Sequence, residues 1–169
     1  MLKGKVKERI ILLAVLLATT ACVVNSNKAG LITRFMGWNN KVECAISGGL
    51  GAKSSRQFQR YQRLITIASD DELIRLTDHA NPAVRCYAFQ GLARRGNKHV
   101  YDILMKHLDD GDLVEYACGC MTSELPVGHV FLDIVQNGGV DTTTFQLNEQ
   151  QRLKVDSIRS AFVWDVLRP

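Results

Sequence analysis

The sequence predicts an all-α domain built from stacked helical hairpins, and three observations lead to this prediction. The stretch from Leu73 to Leu92 has the pattern of a helix, a tight turn at Asn81-Pro82 and a second helix. Apolar residues of the second helix recur at i, i+3, i+4 and i+7, which places them on one helical face. A related pattern returns about thirty residues later, and such a period is typical of helical repeats.

Residues 1–21 have the pattern of a signal peptide. A basic start with four Lys or Arg residues is followed by the apolar run Ile10 to Ala18 and by Thr19-Thr20-Ala21-Cys22. The apolar run is too short for a comfortable membrane span, which needs about 20 residues. Ala21-Cys22 resembles the lipobox of bacterial lipoproteins, and this resemblance implies that Cys22 becomes the lipid-bearing first residue of the mature chain.

Two other outcomes remain open for this segment. Thr19 and Ala21 also suit ordinary signal peptidase, which would release a chain without lipid. Val23 and Val24 lengthen the apolar run, so an uncleaved anchor is the third possibility. Removing the segment also removes most of the formal net charge of +4, because four basic residues and only Glu8 precede Cys22. A nearly neutral mature chain argues against a nucleic-acid surface.

Residues 22–59 are expected to be a polar tether followed by an irregular, glycine-containing segment. Apolar residues between Leu31 and Trp38 have no clean period, and glycines cluster at Gly48 to Gly51. One short helix is expected at Lys41 to Ile46. The segment is therefore placed outside the main domain.

Residues 60–169 are expected to form the helical domain. Helical spacing of apolar residues occurs at 61–68, 73–77, 84–92, 100–108 and 127–135, and Pro126 can begin the last of these. The second repeat unit would continue as a helix through 114–121. Residues 141–145 have a composition typical of a strand or loop. Asn148 and Gln151 fit a capping box for a terminal helix.

The pattern of the first hairpin resembles a short HEAT repeat of the type found in phycobilisome lyases. The matching residues are Asp78, Pro82, Val84, Arg85, Ala88 and Leu92. The resemblance extends from Asp71 to about Met121, although Glu115 stands where the repeat usually has Arg. It implies that a loop aspartate pairs with a helix arginine, here Arg85 with Asp78 or Asp109. Two ordinary helical hairpins in a small bundle are the alternative.

Four cysteines follow Cys22, at positions 44, 86, 118 and 120. An oxidising envelope compartment allows a disulfide among Cys44, Cys86, Cys118 and Cys120. Alternatively, Cys86 and Cys118 are small buried residues. A metal site at Cys118 and Cys120 is disfavoured, because residues two apart point to different sides of a helix.

No catalytic set emerges from the sequence. The four histidines have no metal-ligand spacing, and neither His-Glu-x-x-His nor Gly-x-Ser-x-Gly occurs. We therefore expect no catalytic residue, metal or cofactor. The expected function is that of a membrane-anchored lipoprotein with a protein-binding or scaffolding role in the cell envelope. Alternatives are an envelope enzyme or enzyme subunit with a site on the concave face, and a redox-active or disulfide-stapled protein using Cys118 and Cys120.

Overall fold

A computed structural model describes residues 28–47 and 53–166. The expected signal peptide and Cys22 lie outside the described residues. The helices are α1 (28–37), α2 (Arg56–Ile67), α3 (Asp70–Leu76), α4 (Pro82–Arg94), α5 (Val100–Lys106), α6 (Val127–Asn137) and α7 (Glu149–Val166). The strands are β1 (Lys41–Ser47), β2 (Lys53–Ser54), β3 (Leu113–Gly119) and β4 (Met121–Pro126). Within the described ranges, no helix is both long and apolar enough to cross a membrane.

The four strands form one mixed sheet with the order β2-β1-β3-β4. β1 lies parallel to β3, with Val42 opposite Tyr116. β3 and β4 form an antiparallel hairpin that turns after Cys118. Gly119 has a φ of +60° there, which suits the first central position of a type II′ turn. The fold is therefore α/β, and the prediction of an all-α, HEAT-like hairpin stack is wrong.

The second predicted repeat unit fails at its second helix: α5 forms where its first helix was expected, but residues 114–121 form strands. Val114 and Ala117 are buried as expected, but they belong to β3, and Met121 begins β4. In a regular strand, residues three apart point to opposite faces, so Val114 and Ala117 are buried on the two faces of β3. Pairing with β1 decides between helix and strand here, since strand preference depends strongly on neighbouring strands.

The described residues of the N-terminal segment are largely in regular helix and strand, contrary to the prediction. The expected helix at Lys41 to Ile46 is strand β1, one of the two central strands of the sheet. Val42 and Cys44 are buried, and their alternation with polar neighbours is the period of a half-buried strand. Met36 of α1 is fully buried as well. The described residues of α1, β1 and the start of α2 thus contribute to the same core as the rest of the domain.

The first predicted hairpin is confirmed. α3 and α4 flank the turn at Asn81, whose side chain accepts a hydrogen bond from the backbone N–H of Val84 at 3.2 Å. Pro82 occupies the first turn of α4, where its missing N–H costs nothing. The predicted capping box of the last helix also forms, with Asn148 and Gln151 bonding reciprocally.

α4 is the central helix of the domain. Every residue from Ala83 to Ala93 is buried, because α2, α3, α5, α6 and the strands β1 and β3 pack around it. Aromatic rings fill the space on two sides. Tyr87 stacks on Tyr61 of α2, and Phe89 stacks on Phe131 of α6 with ring centroids 3.9 Å apart.

The close approach of α6 to the turn after α5 requires a glycine at position 128. A Cβ atom at Gly128 would lie 2.2 Å from the carbonyl oxygen of Leu108. Gly128→Ala should therefore lower the free energy of unfolding by about 1–3 kcal/mol, the usual cost of overpacking. Urea unfolding followed by circular dichroism measures this. Gly111→Ala is the control, because nothing lies within 4 Å of its Cβ position; equal midpoints for both variants would contradict the described packing.

Candidate functional site

The densest group of ionisable side chains lies where α4 begins and α5 ends. We call it the Arg85 cluster. It joins the turn before α4 to the turn between α5 and β3. Its members are Asp78, Arg85, Lys106, His107, Asp110 and Asp112.

Arg85 is the buried centre of this cluster, with 7% of its surface exposed. Its Nε lies 3.1 Å from Oδ2 of Asp110, and its Nη2 lies 2.7 Å from Oδ2 of Asp112. Nη1 donates to the backbone carbonyl oxygen of His79 at 2.9 Å. A buried guanidinium needs such compensation, because an unpaired charge in the interior is very costly. Arg85 thus ties α4 to both neighbouring turns.

His107 links the two halves of the cluster. Its Nε2 lies 3.0 Å from Oδ1 of Asp78, and its Nδ1 lies 3.4 Å from Oδ2 of Asp110. The ring packs against Phe131, with centroids 5.5 Å apart. Lys106 bonds to both carboxylate oxygens of Asp78, and this ammonium group holds the pKa of the Asp78 carboxyl below its usual range.

The arrangement corrects the expected pairing of Arg85. Its ion pairs go to Asp110 and Asp112 instead of Asp78 or Asp109. The reason is local: α5 ends at Lys106, and the following turn leads into a strand rather than a second repeat helix. This turn places Asp110, not Asp109, against the guanidinium. Asp78 instead pairs with Lys106 and His107.

A disulfide joins the two central strands. Cys44 of β1 is bonded to Cys118 of β3, and their Cα atoms are 4.9 Å apart. The sequence left two alternatives open, a disulfide among the four cysteines or Cys86 and Cys118 as small buried residues. Cys118 forms a disulfide, and Cys86 is a small buried residue. Cys86 is a buried free thiol whose burial raises its pKa. Cys120 is a free, exposed thiol in the turn after β3.

A second polar group, not predicted from the sequence, holds the turn after α6. The hydroxyl of Tyr61 donates to Oδ2 of Asp141 at 3.2 Å, and Arg94 forms an ion pair with the same carboxylate. Buried Gln90 donates to the carbonyl oxygen of Gly138 and accepts from the backbone N–H of Val140. The available signal was a pair of polar residues, Gln90 and Arg94, spaced i, i+4 in the otherwise apolar second half of α4.

Two surface grooves lie away from the Arg85 cluster. One, of about 470 Å³, runs between α1 and α2. The other, of about 450 Å³, lies between α6, the segment 143–147 and α7. Among the described residues, no group of three or more His, Cys, Asp or Glu side chains is placed to hold a metal ion.

Comparisons with known proteins add no family assignment. No protein-family model, curated protein or solved structure matches the chain.

Removal of the Arg85 guanidinium should be strongly destabilising. Arg85→Ala would leave Asp110 largely buried without its cation, and we expect a loss of about 3–5 kcal/mol in the free energy of unfolding. Chemical denaturation measures the loss. Arg75→Ala on the exposed side of α3 is the matched control and should change stability by about 0.5 kcal/mol or less. A similar small change for both variants would mean that the cluster does not stabilise the fold.

Proposed function

We propose that this protein is exported to the bacterial cell envelope, is held at a membrane by lipid on Cys22, and has a non-catalytic binding or scaffolding role there. The single observation that carries the proposal is the disulfide between Cys44 and Cys118. The N-terminal sequence and the surface of the sheet support it further.

The disulfide supports export because such bonds persist in oxidising compartments and are rare in the cytosol. It connects adjacent central strands whose cysteines are 74 residues apart in sequence. Closing a loop of that length is worth about 4 kcal/mol in the chain-entropy model. The bond can add this stability only in an oxidising compartment, and the cell envelope is such a compartment whereas the cytosol is not. The two cysteines lie far from the signal-peptide pattern in the sequence.

The N-terminal sequence pattern supports both export from the cytoplasm and a lipid anchor on Cys22. A basic start, an apolar run and Ala21-Cys22 follow one another in the order of a lipoprotein signal. Thr19 departs from the usual first lipobox residue, so the acyl modification is the part of the proposal that needs direct measurement.

The Arg85 cluster favours a binding role over the enzyme alternative. Its carboxylates pair with cations of the same cluster, and His107 is buried between Asp78, Asp110 and Phe131. Such groups hold two turns in place rather than face a substrate. An exposed edge strand supports a binding role: β4 ends the strand order, and its residues 121–124 are exposed. An exposed edge strand can pair with a strand of a partner.

Intact mass spectrometry of protein from a membrane fraction tests the proposal directly. We expect a mature chain that starts at Cys22 and carries added acyl mass. The Cys22→Ala variant should lack that mass. The matched control is Cys120→Ala, which removes an exposed free thiol and should keep the acyl mass.

Two other masses would contradict the anchor. A chain cleaved after Ala21 without acyl mass would make the protein a secreted domain without lipid. An uncut chain would require a different route or no export.

A further inference from the structure

Helix α1 is apolar on two opposite faces. Its inner face packs on the domain through Ala29, Thr33 and Met36, all of which are buried. Leu31 and Phe35 lie on the outer face with 56% and 43% of their surface exposed, and Trp38 follows directly after the helix with 81% exposed. The described part of the chain leaves this outer apolar face without a cover. A helix that is apolar on both sides is normally in contact with something on both sides.

Positive charges flank the outer face of α1. At 100° per residue, Lys28 and Arg34 each lie about 60° from Leu31, on opposite sides of it. The sequence contains no Asp or Glu between Glu8 and Glu43. The face is therefore an apolar stripe between two cations, with no acidic residue on the helix.

The residues around α1 continue both its exposed apolar surface and its positive charge. The groove between α1 and α2 is lined by Leu31 together with Lys28 and Arg63. Arg56 at the start of α2 is exposed as well. At the other end, Asn40 donates from Nδ2 to the carbonyl oxygen of Leu113, a half-exposed apolar residue. An apolar surface bordered by cations is complementary to a partner with an apolar interior and negative charges on its surface.

We propose that the outer face of α1 lies in the interface of an anionic lipid bilayer, with Leu31, Phe35 and Trp38 among the acyl chains and Lys28 and Arg34 at the phosphate groups. Tryptophan prefers this depth of a bilayer, and basic side chains extend from it to the headgroups. An apolar stripe with flanking cations is the pattern of an interfacial helix.

The position of α1 in the chain favours a lipid bilayer as the partner of its outer face. This step relies on the proposed function, because the lipid on Cys22 brings the helix to the bilayer. Cys22 precedes Lys28 by six residues, and six residues of extended chain span at most about 20 Å. The helix therefore stays within reach of the headgroups whenever Cys22 is anchored.

Fluorescence of Trp38 in the full chain tests the inference. The chain has two tryptophans, so Trp164→Phe leaves Trp38 as the single probe. The protein is reconstituted into phosphatidylethanolamine vesicles with phosphatidylglycerol, with and without brominated acyl chains. We expect the emission of Trp38 to shift to the blue and to be strongly quenched by the brominated lipid. Acrylamide, a quencher that stays in the water, should have little effect on it.

Matched variants separate the apolar from the charged contribution. Leu31→Ser combined with Phe35→Ser should greatly reduce quenching by brominated lipid, whereas Leu153→Ser, which alters an exposed leucine of α7, should not. Lys28→Gln combined with Arg34→Gln should reduce quenching in anionic vesicles, and Arg75→Gln combined with Lys98→Gln should not. An intact Cys44–Cys118 bond in each variant verifies folding.

Three results distinguish this inference from the proposed anchor. Acylated, vesicle-bound protein with Trp38 open to acrylamide would overturn the inference and leave the anchor standing. Protein without acyl mass but with Trp38 quenched by lipid would support the inference and overturn the anchor. Trp38 protected without lipid quenching, in protein that cross-links as a dimer, would assign the face to a second copy and overturn the inference.

Discussion

The parallel pairing of β1 with β3 is the constraint on which the rest of the fold depends. Parallel strands cannot be joined by a tight turn, so the chain must cross over between them. Helices α2 to α5 lie in this crossover, and α4 fills the space against both strands. The Cys44–Cys118 bond links the same two strands covalently. Strand pairing, helix packing and disulfide therefore depend on one another.

Two polar groups then fix α4 within the core. Near its start, Arg85 joins the turn before α4 to the turn after α5; farther along, Gln90 and Arg94 hold the turn that follows α6. Burial of polar groups in a helix is costly unless they find partners, and these side chains find theirs in the neighbouring turns. These side chains therefore organise the interior. Among the described residues, the β4 edge and the outer face of α1 remain exposed.

Local patterns predicted local structure, and non-local pairing was missed. The α3–α4 hairpin was predictable because Asn81 and Pro82 determine where α4 begins. β1 was missed because its short alternation around Val42 becomes a strand only through contact with β3, more than sixty residues later. Arg85 was recognised as an ion-pair residue, but its partners depend on the turn before β3, which the repeat resemblance placed incorrectly. The role of Cys22 remains a prediction.

Disulfide mapping of the protein purified from a cell-envelope fraction tests the central claim most directly. Free thiols are alkylated without reductant, and the digest is analysed by mass spectrometry before and after reduction. The account predicts one cross-linked peptide pair that joins Cys44 to Cys118, with Cys120 alkylated and Cys86 alkylated only after unfolding. Alkylation of Cys44 and Cys118 without reductant, or a bond from Cys44 to Cys120, would contradict it.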